Sequence, residues 1–225
     1  PYTSQILDIL KTNGVKGTFF VLGEHVLEQP ELLRRIYDEG HDIGNHSFSH
    51  PDLSLVSKNR VVLELNAAQR AIQSVLGRSV TLFRPPYISE TSPLSPQEFR
   101  VLNIARNLGY TTVGIANNGR DWIQYDERED GTEYERTGAD IADEIISKIE
   151  LMPGNSILLH DGPKERERSV EAVAILIPKL RALGYSFVTA HELMGVSREA
   201  VFPVVTATPL RHAYNLSLIH ISEPT

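Results

Sequence analysis

Helix and strand patterns alternate along this chain, and that alternation limits its fold more than any other feature. Ser4 to Asn13 carries Ile6, Leu7, Ile9 and Leu10 at helical spacing, and Gly14 ends the run. GTFFVLG (17–23) reads as a short buried strand bounded by glycines. QPELLRRIYDEG (29–40) predicts a helix with Pro30 at its start and Gly40 at its stop. HDIGNH (41–46) predicts a short strand, and 57–75 a longer helix on Val61, Val62, Leu65, Ala68 and Ile72. VTLFRPPY (80–87) is a strand broken by Pro85 and Pro86, followed by a helix over 95–109 with a Ser95 cap and Pro96 in its first position. YTTVGIAN (110–117) is a strand, and the charged stretch 123–138 reads as a loop. The pattern ends with a helix over 139–152, a strand in GNSILLHDG (154–162), a helix over 167–184 and a last strand in YSFVTAHEL (185–193). Strands that are each followed by a helix imply βαβ units and a parallel sheet, and their number favours a closed barrel over an open sheet.

Functional side chains gather at the carboxyl ends of strands in parallel α/β folds. Four polar clusters stand at such ends: His46 with His50, Arg84 to Tyr87, Asp121 with Trp122, and His160 with Asp161. They are expected to share one rim. His46 and His50, four apart within GHDIGNHSFSHPDLS (40–54), can aim at one ion, and Pro51 disfavours helical backbone at His50. Nitrogen ligands suit zinc, cobalt or nickel. Two ligands are too few, so a third donor and an open position for water would be needed for catalysis. The bland alternative is a pair of solvated or capping histidines.

His160 at a rim can give a proton to a leaving group, or can be a structural histidine bonded to backbone. Asp121 can set the charge state of such a histidine through a salt bridge, or can be a plain loop acid. Trp122, the single tryptophan, can wall a sugar pocket or belong to the core. Arg84 can orient a carboxylate by a charge-assisted pair. The backbone N–H of Tyr87 follows two residues that lack a donor and can face a substrate oxygen. RPPY can equally be no more than a rigid loop.

The 225 residues contain no cysteine, which excludes a disulfide scaffold, a thiolate zinc site and a cysteine nucleophile. The formal net charge of −7 argues against nucleic acid as a partner. No run of about 18 apolar residues offers a membrane span.

Taken together and in order, GTFFVLG, GHDIGNHSFSHPDL, FRPPY, DW, ILLHDG and GYSFVTAHEL resemble the polysaccharide deacetylases, the NodB-homology domains of carbohydrate esterase family 4. The resemblance covers roughly residues 1 to 195 and implies an α/β fold, a distorted and incomplete parallel (β/α) barrel. It implies a hydrolase that removes N-acetyl groups from chitin-like, peptidoglycan or related amino-sugar polymers, with a polysaccharide or oligosaccharide as partner. It makes His46 and His50 ligands of a divalent metal, zinc first, with cobalt and nickel as alternatives. Arg84 would orient the catalytic base and Tyr87 would offer its N–H to the oxyanion. Asp121 would tune the catalytic acid His160, Trp122 would stand beside the pocket, and Leu158 would line the acetyl pocket.

One departure is large. The family's first motif is a Thr-Phe-Asp-Asp-Gly strand that supplies the base and the third metal ligand, and it would precede the opening helix. The chain is therefore expected to be an inactive fragment lacking its first strand, binding metal weakly and turning over poorly or not at all. The charged insert at 123–138 and GVSREAVFP (195–203) resemble a subgroup fused to a membrane glycosyltransferase, which implies an extracellular or cell-surface location. The expected domain spans 1–197. Residues 198–225 are expected to be a disordered or non-native tail, because LSLIHISEPT (216–225) continues no pattern of the family. Two rivals stand beside this reading. One is a non-catalytic carbohydrate-binding barrel that lost the base. The other is a sugar isomerase, which would need further acidic ligands on later strand ends, where only Asp121 and Asp161 occur.

Overall fold

The computed structural model describes residues 2–87, 95–114, 117–151, 156–162 and 165–205. In chain order the elements are α1 (Tyr2–Thr12), β1 (Thr18–Val21), α2 (Gly23–Glu28), α3 (Pro30–Asp38), β2 (Asp42–Asn45), α4 (Lys58–Leu76), β3 (Leu82–Phe83), α5 (Pro96–Asn107) and β4 (Thr111–Thr112). Then follow β5 (Asn117–Asn118), β6 (Tyr125–Glu127), β7 (Glu133–Glu135), α6 (Gly138–Leu151), β8 (Ile157–Leu158), α7 (Glu167–Ala182), α8 (Ala190–Leu193) and α9 (Arg198–Val201). β1, β2, β3 and β4 form a parallel sheet in that order, and β5 pairs with β8, also in parallel. The fold is α/β with parallel strands, as the alternating pattern requires.

Local chemistry sets the helix ends. The Ser57 side chain accepts the Arg60 N–H to start α4, and Gly77 closes it in the left-handed region at φ 65°. Ser95 and Glu98 form a reciprocal capping box at α5, with Pro96 in the first turn. α4 turns Val61, Leu65, Ala68 and Ile72 inward. Leu65 and Val61 meet Phe83, Val101 and Tyr110, while Ile72 meets Ile43, Leu82 and Phe202. Burying a side chain of this size stabilises by about 1.5–3 kcal/mol. The parallel strands are thereby clamped between helices, and their carboxyl ends are held at one rim.

Three expectations are corrected. Residues 123–138 are not a plain loop: β6 and β7 pair antiparallel, Tyr125 opposite Glu135. Residues 185–189 form no strand. That segment has no ladder partner among the described residues, and the Thr189–Glu192 capping box draws its end into α8. The domain boundary after residue 197 falls inside packed structure, since α9 follows at once, Val201 and Phe202 are buried, and Val204 bridges Arg78. Residues 206–225, which include the rest of the expected tail, lie outside the described residues.

Candidate active site

β2 ends at Asn45, and the chain then makes a tight loop carrying both predicted histidines. Asn45 anchors it from below: its side-chain amide donates to the Leu65 carbonyl (2.9 Å) and bonds the Tyr110 hydroxyl (2.8 Å), and its Oδ1 accepts the Ser47 N–H (2.9 Å). Burial pushes the Tyr110 phenol up to about 12, so it remains a neutral partner. The Ser47 hydroxyl accepts the His50 N–H at 3.0 Å. From the flank, the Gly23 N–H donates to the Ser47 carbonyl at 3.1 Å. A Cβ on Gly23 would stand 2.7 Å from the Ala68 Cα, so only glycine allows α2 to lie this close to α4.

The two imidazoles come together, with ring centroids 5.0 Å apart. His46 Nδ1 lies 2.7 Å from the Arg84 carbonyl oxygen. A carbonyl only accepts, so the proton is on Nδ1 and the Nε2 lone pair is free. Burial pushes His46 down to about 4. His50 is lowered by burial and then by the nearby charge of His160. Both rings are therefore neutral at pH 7, the state in which imidazole ligates a metal. As a cation site the pair supplies two nitrogen donors. No third histidine, cysteine, aspartate or glutamate stands with them among the described residues.

Across the rim, Asp121 is buried and grips His160 twice. Its Oδ1 faces His160 Nδ1 at 2.8 Å, and its Oδ2 accepts the His160 backbone N–H at 2.7 Å. Ser169 Oγ donates to the same Oδ2 at 2.7 Å. Burial alone would raise the Asp121 carboxyl, but the His160 ring and these donors outweigh it and hold it below the usual aspartate value. Asp121 is thus ionised, and a carboxylate only accepts, so His160 presents an Nδ1–H to it and Nε2 is the ring nitrogen that Asp121 does not engage. Trp122 meets the His160 ring edge-on at 5.5 Å and is 48% exposed, so the core alternative for it fails.

The remaining predicted residues fall around these groups. Arg84 is buried and donates to the Val113 carbonyl at 3.3 Å. The Tyr87 ring covers His50 at 4.7 Å, and Leu158 lies on β8 beside Asn118. Backbone strain concentrates here as well. The non-glycine residues with positive φ among those described are Ser47 (75°), His50 (58°), Tyr87 (61°) and Arg120 (50°). Each belongs to or adjoins one of the clusters, and each costs on the order of 1 kcal/mol that the surrounding bonds must offset.

Two supporting residues escaped the sequence reading. Glu64 is buried on α4 and accepts the backbone N–H groups of Phe48 and Ser49 (both 2.9 Å), the Ser49 hydroxyl (2.9 Å) and Arg60 (2.6 Å). Ser169 on α7 fixes Asp121. Both are polar residues inside the apolar stripe of an amphipathic helix, and that was the available signal.

Comparison with known proteins places this geometry. Residues 1–113 match the family model described as polysaccharide deacetylase. The chain is 34% identical over 193 residues to the peptidoglycan-N-acetylmuramic acid deacetylase PdaA of Bacillus subtilis, covering 86% of this chain and 66% of that protein. It is 33% identical over 196 residues to the chitooligosaccharide deacetylase of Sinorhizobium fredii, covering 82% of this chain and 81% of that one. In structure it is similar to the Bc1960 peptidoglycan N-acetylglucosamine deacetylase, with a TM-score of 0.73 and 29% identity over 88% of this chain and 83% of that one. The chain belongs to the polysaccharide deacetylase family.

Proposed function

We propose that this chain is the deacetylase unit of an enzyme that hydrolyses N-acetyl groups on an amino-sugar polymer of the cell surface. The observation that carries this reading is the doubly held Asp121–His160 pair, with His160 near enough for its charge to act on both His46 and His50. Relatives named for peptidoglycan and chitooligosaccharide deacetylation support the substrate class.

Amide hydrolysis needs a proton for the leaving amine, and His160 in its imidazolium form supplies it from Nε2 and is left as the neutral Nδ1–H ring. Its Nδ1–H stays on the Asp121 carboxylate, which stabilises the imidazolium and fixes the ring. Positioned acid catalysis of this kind contributes roughly 10²–10⁴-fold. The Tyr87 backbone N–H is a donor for the oxyanion, held by the left-handed turn that follows Pro85 and Pro86. Trp122 packs on a sugar face and Leu158 on the acetyl methyl. Arg84 would orient the base of the family's Thr-Phe-Asp-Asp-Gly motif, a motif that this sequence does not contain. His46 and His50 hold a divalent cation, zinc first and cobalt or nickel as alternatives, whose chemistry when bound is Lewis-acid polarisation. Among the described residues no third ligand stands with them. No described helix is long and apolar enough to cross a membrane.

The test is acetate release from peptidoglycan and from chitin oligosaccharides by the chain with a Thr-Phe-Asp-Asp-Gly strand added ahead of residue 1, and by its His160→Ala variant. Release that His160→Ala abolishes supports the reading. Tight binding of either polymer without acetate from any form refutes it in favour of a carbohydrate-binding barrel.

A further inference from the structure

We propose that Arg136 and Glu144 are positioning residues for the Asp121–His160 pair; this rests on the reading of that pair as the acid catalyst. Arg120, immediately before Asp121, has φ 50°, a conformation L side chains seldom adopt. Something must hold it there, and α6 does so through one carboxylate.

Glu144 Oε1 accepts the Arg120 Nε–H at 2.8 Å, and its Oε2 accepts from Arg120 Nη2 at 3.1 Å and from Arg136 Nη2 at 2.6 Å. Arg136 is almost fully buried, and its Nη1 donates to the Arg120 carbonyl at 2.7 Å. One helical turn on, Lys148 Nζ donates to Glu144 Oε1 and to the Asn118 carbonyl, both at 2.7 Å. Between these carbonyls, a Cβ on Gly119 would fall 2.8 Å from the Ile141 carbonyl oxygen, so the segment is pressed against α6. Asp126 on β6 accepts Arg120 Nη2 at 3.0 Å and ties the hairpin to the same grip.

The carbonyls of residues 118 and 120 are thus held by two cations that share one acid, and Asp121 is the next residue along. An ion cluster built round one buried arginine is a weak source of net stability, because desolvation offsets its attraction. What it supplies is direction: the planar fork of Arg136 fits Glu144 and the Arg120 carbonyl at once, as an ammonium would not. The cluster therefore aims the Asp121 carboxylate at His160.

The test follows the ring-nitrogen NMR shifts of His160, which report its tautomer, in the folded chain. The wild type is expected to show the Nδ1–H form. Arg136→Met and the double variant Arg136→Met/Glu144→Met are expected to keep a cooperative unfolding transition but to show mixed tautomers. Their kcat for acetate release is expected to fall by about a hundredfold with KM little changed. Arg136→Lys, which keeps the charge and loses the fork, should recover only part of both signals. Lys179→Met, which removes an exposed pair with Asp143 on α6, should change neither. If Arg136→Met does not fold, the near-isosteric Glu144→Gln is read in the same way. An unchanged His160 tautomer in a folded variant overturns the inference. Absence of acetate release from every form would overturn the functional reading instead, and the tautomer would still decide this one.

Discussion

His160 meets Asp121 through both its ring and its backbone, so one carboxylate fixes where the imidazole is and which nitrogen it presents. Asp121→Asn keeps the shape but replaces one acceptor oxygen by an amide donor, facing either the His160 ring or the donors on Oδ2. Acetate release is expected to fall by roughly 10²–10⁴-fold, with KM little altered. Steady-state kinetics of the variant check this. Activity within twofold of the wild type would remove Asp121 from the mechanism.

The same pairing has a pH signature. The Asp121 carboxyl is lower in the folded state than in the unfolded chain, so its stabilisation is present above the unfolded value and is lost as pH falls through the folded one. Urea unfolding of wild type and Asp121→Asn is therefore expected to differ most near neutrality and to converge in acid.

His41 acts in the same direction, through burial of a neutral ring rather than pairing of a charge. It is fully buried at the start of β2, its Nδ1 accepts the Gly17 N–H at 3.0 Å, and its Nε2 has no hydrogen-bond partner. Burial, then the charge of Lys16, pushes it down to about 4. Its neutral form costs nothing above its unfolded value near 6.5, and stability declines as pH drops from there toward 4. The expected loss between pH 7 and pH 5 is about 2 kcal/mol. His41→Gln, which cannot titrate, should flatten the unfolding curve over that window by a similar amount.

Glu64 holds the histidine loop from beneath. Glu64→Ala leaves the buried N–H groups of Phe48 and Ser49 without their acceptor and should destabilise by about 2–4 kcal/mol. Hydrogen exchange at those two amides is expected to accelerate more than at Ile43 in β2. Equal acceleration across all three would mean that Glu64 serves global stability alone.

Metal binding is the next expectation. Titration with Zn²⁺ or Co²⁺ should show saturable uptake by the chain, with none detectable in His50→Ala. Cobalt absorption spectra report it directly, and an unchanged spectrum in His50→Ala would disqualify that ligand.

Much of this was legible in the sequence, and what was missed has a physical pattern. The Ser95 cap with Pro96 after it was readable because capping is local chemistry, and the structure adds Glu98 as its reciprocal partner. The four clusters could be placed because strand ends dictate where loops emerge. The β6–β7 hairpin was not readable: its strands are charged and lack apolar alternation, and their order comes from Arg120, Arg136 and Glu144, which meet only in three dimensions. The segment 185–189 failed for the converse reason, since its apolar residues suggest a strand that no described neighbour pairs. Arg136 shows the limit most clearly, as an arginine in a charged run that is almost fully buried.

The most direct test of the central claim is mass spectrometry of N-acetylglucosamine oligomers incubated with the chain carrying a Thr-Phe-Asp-Asp-Gly strand added ahead of residue 1, with zinc supplied or chelated. The account predicts products lacking acetyl groups when zinc is present, none under chelation, and none from His160→Ala under either condition. Acetyl loss that persists unchanged with metal chelated, or in His160→Ala, would contradict it.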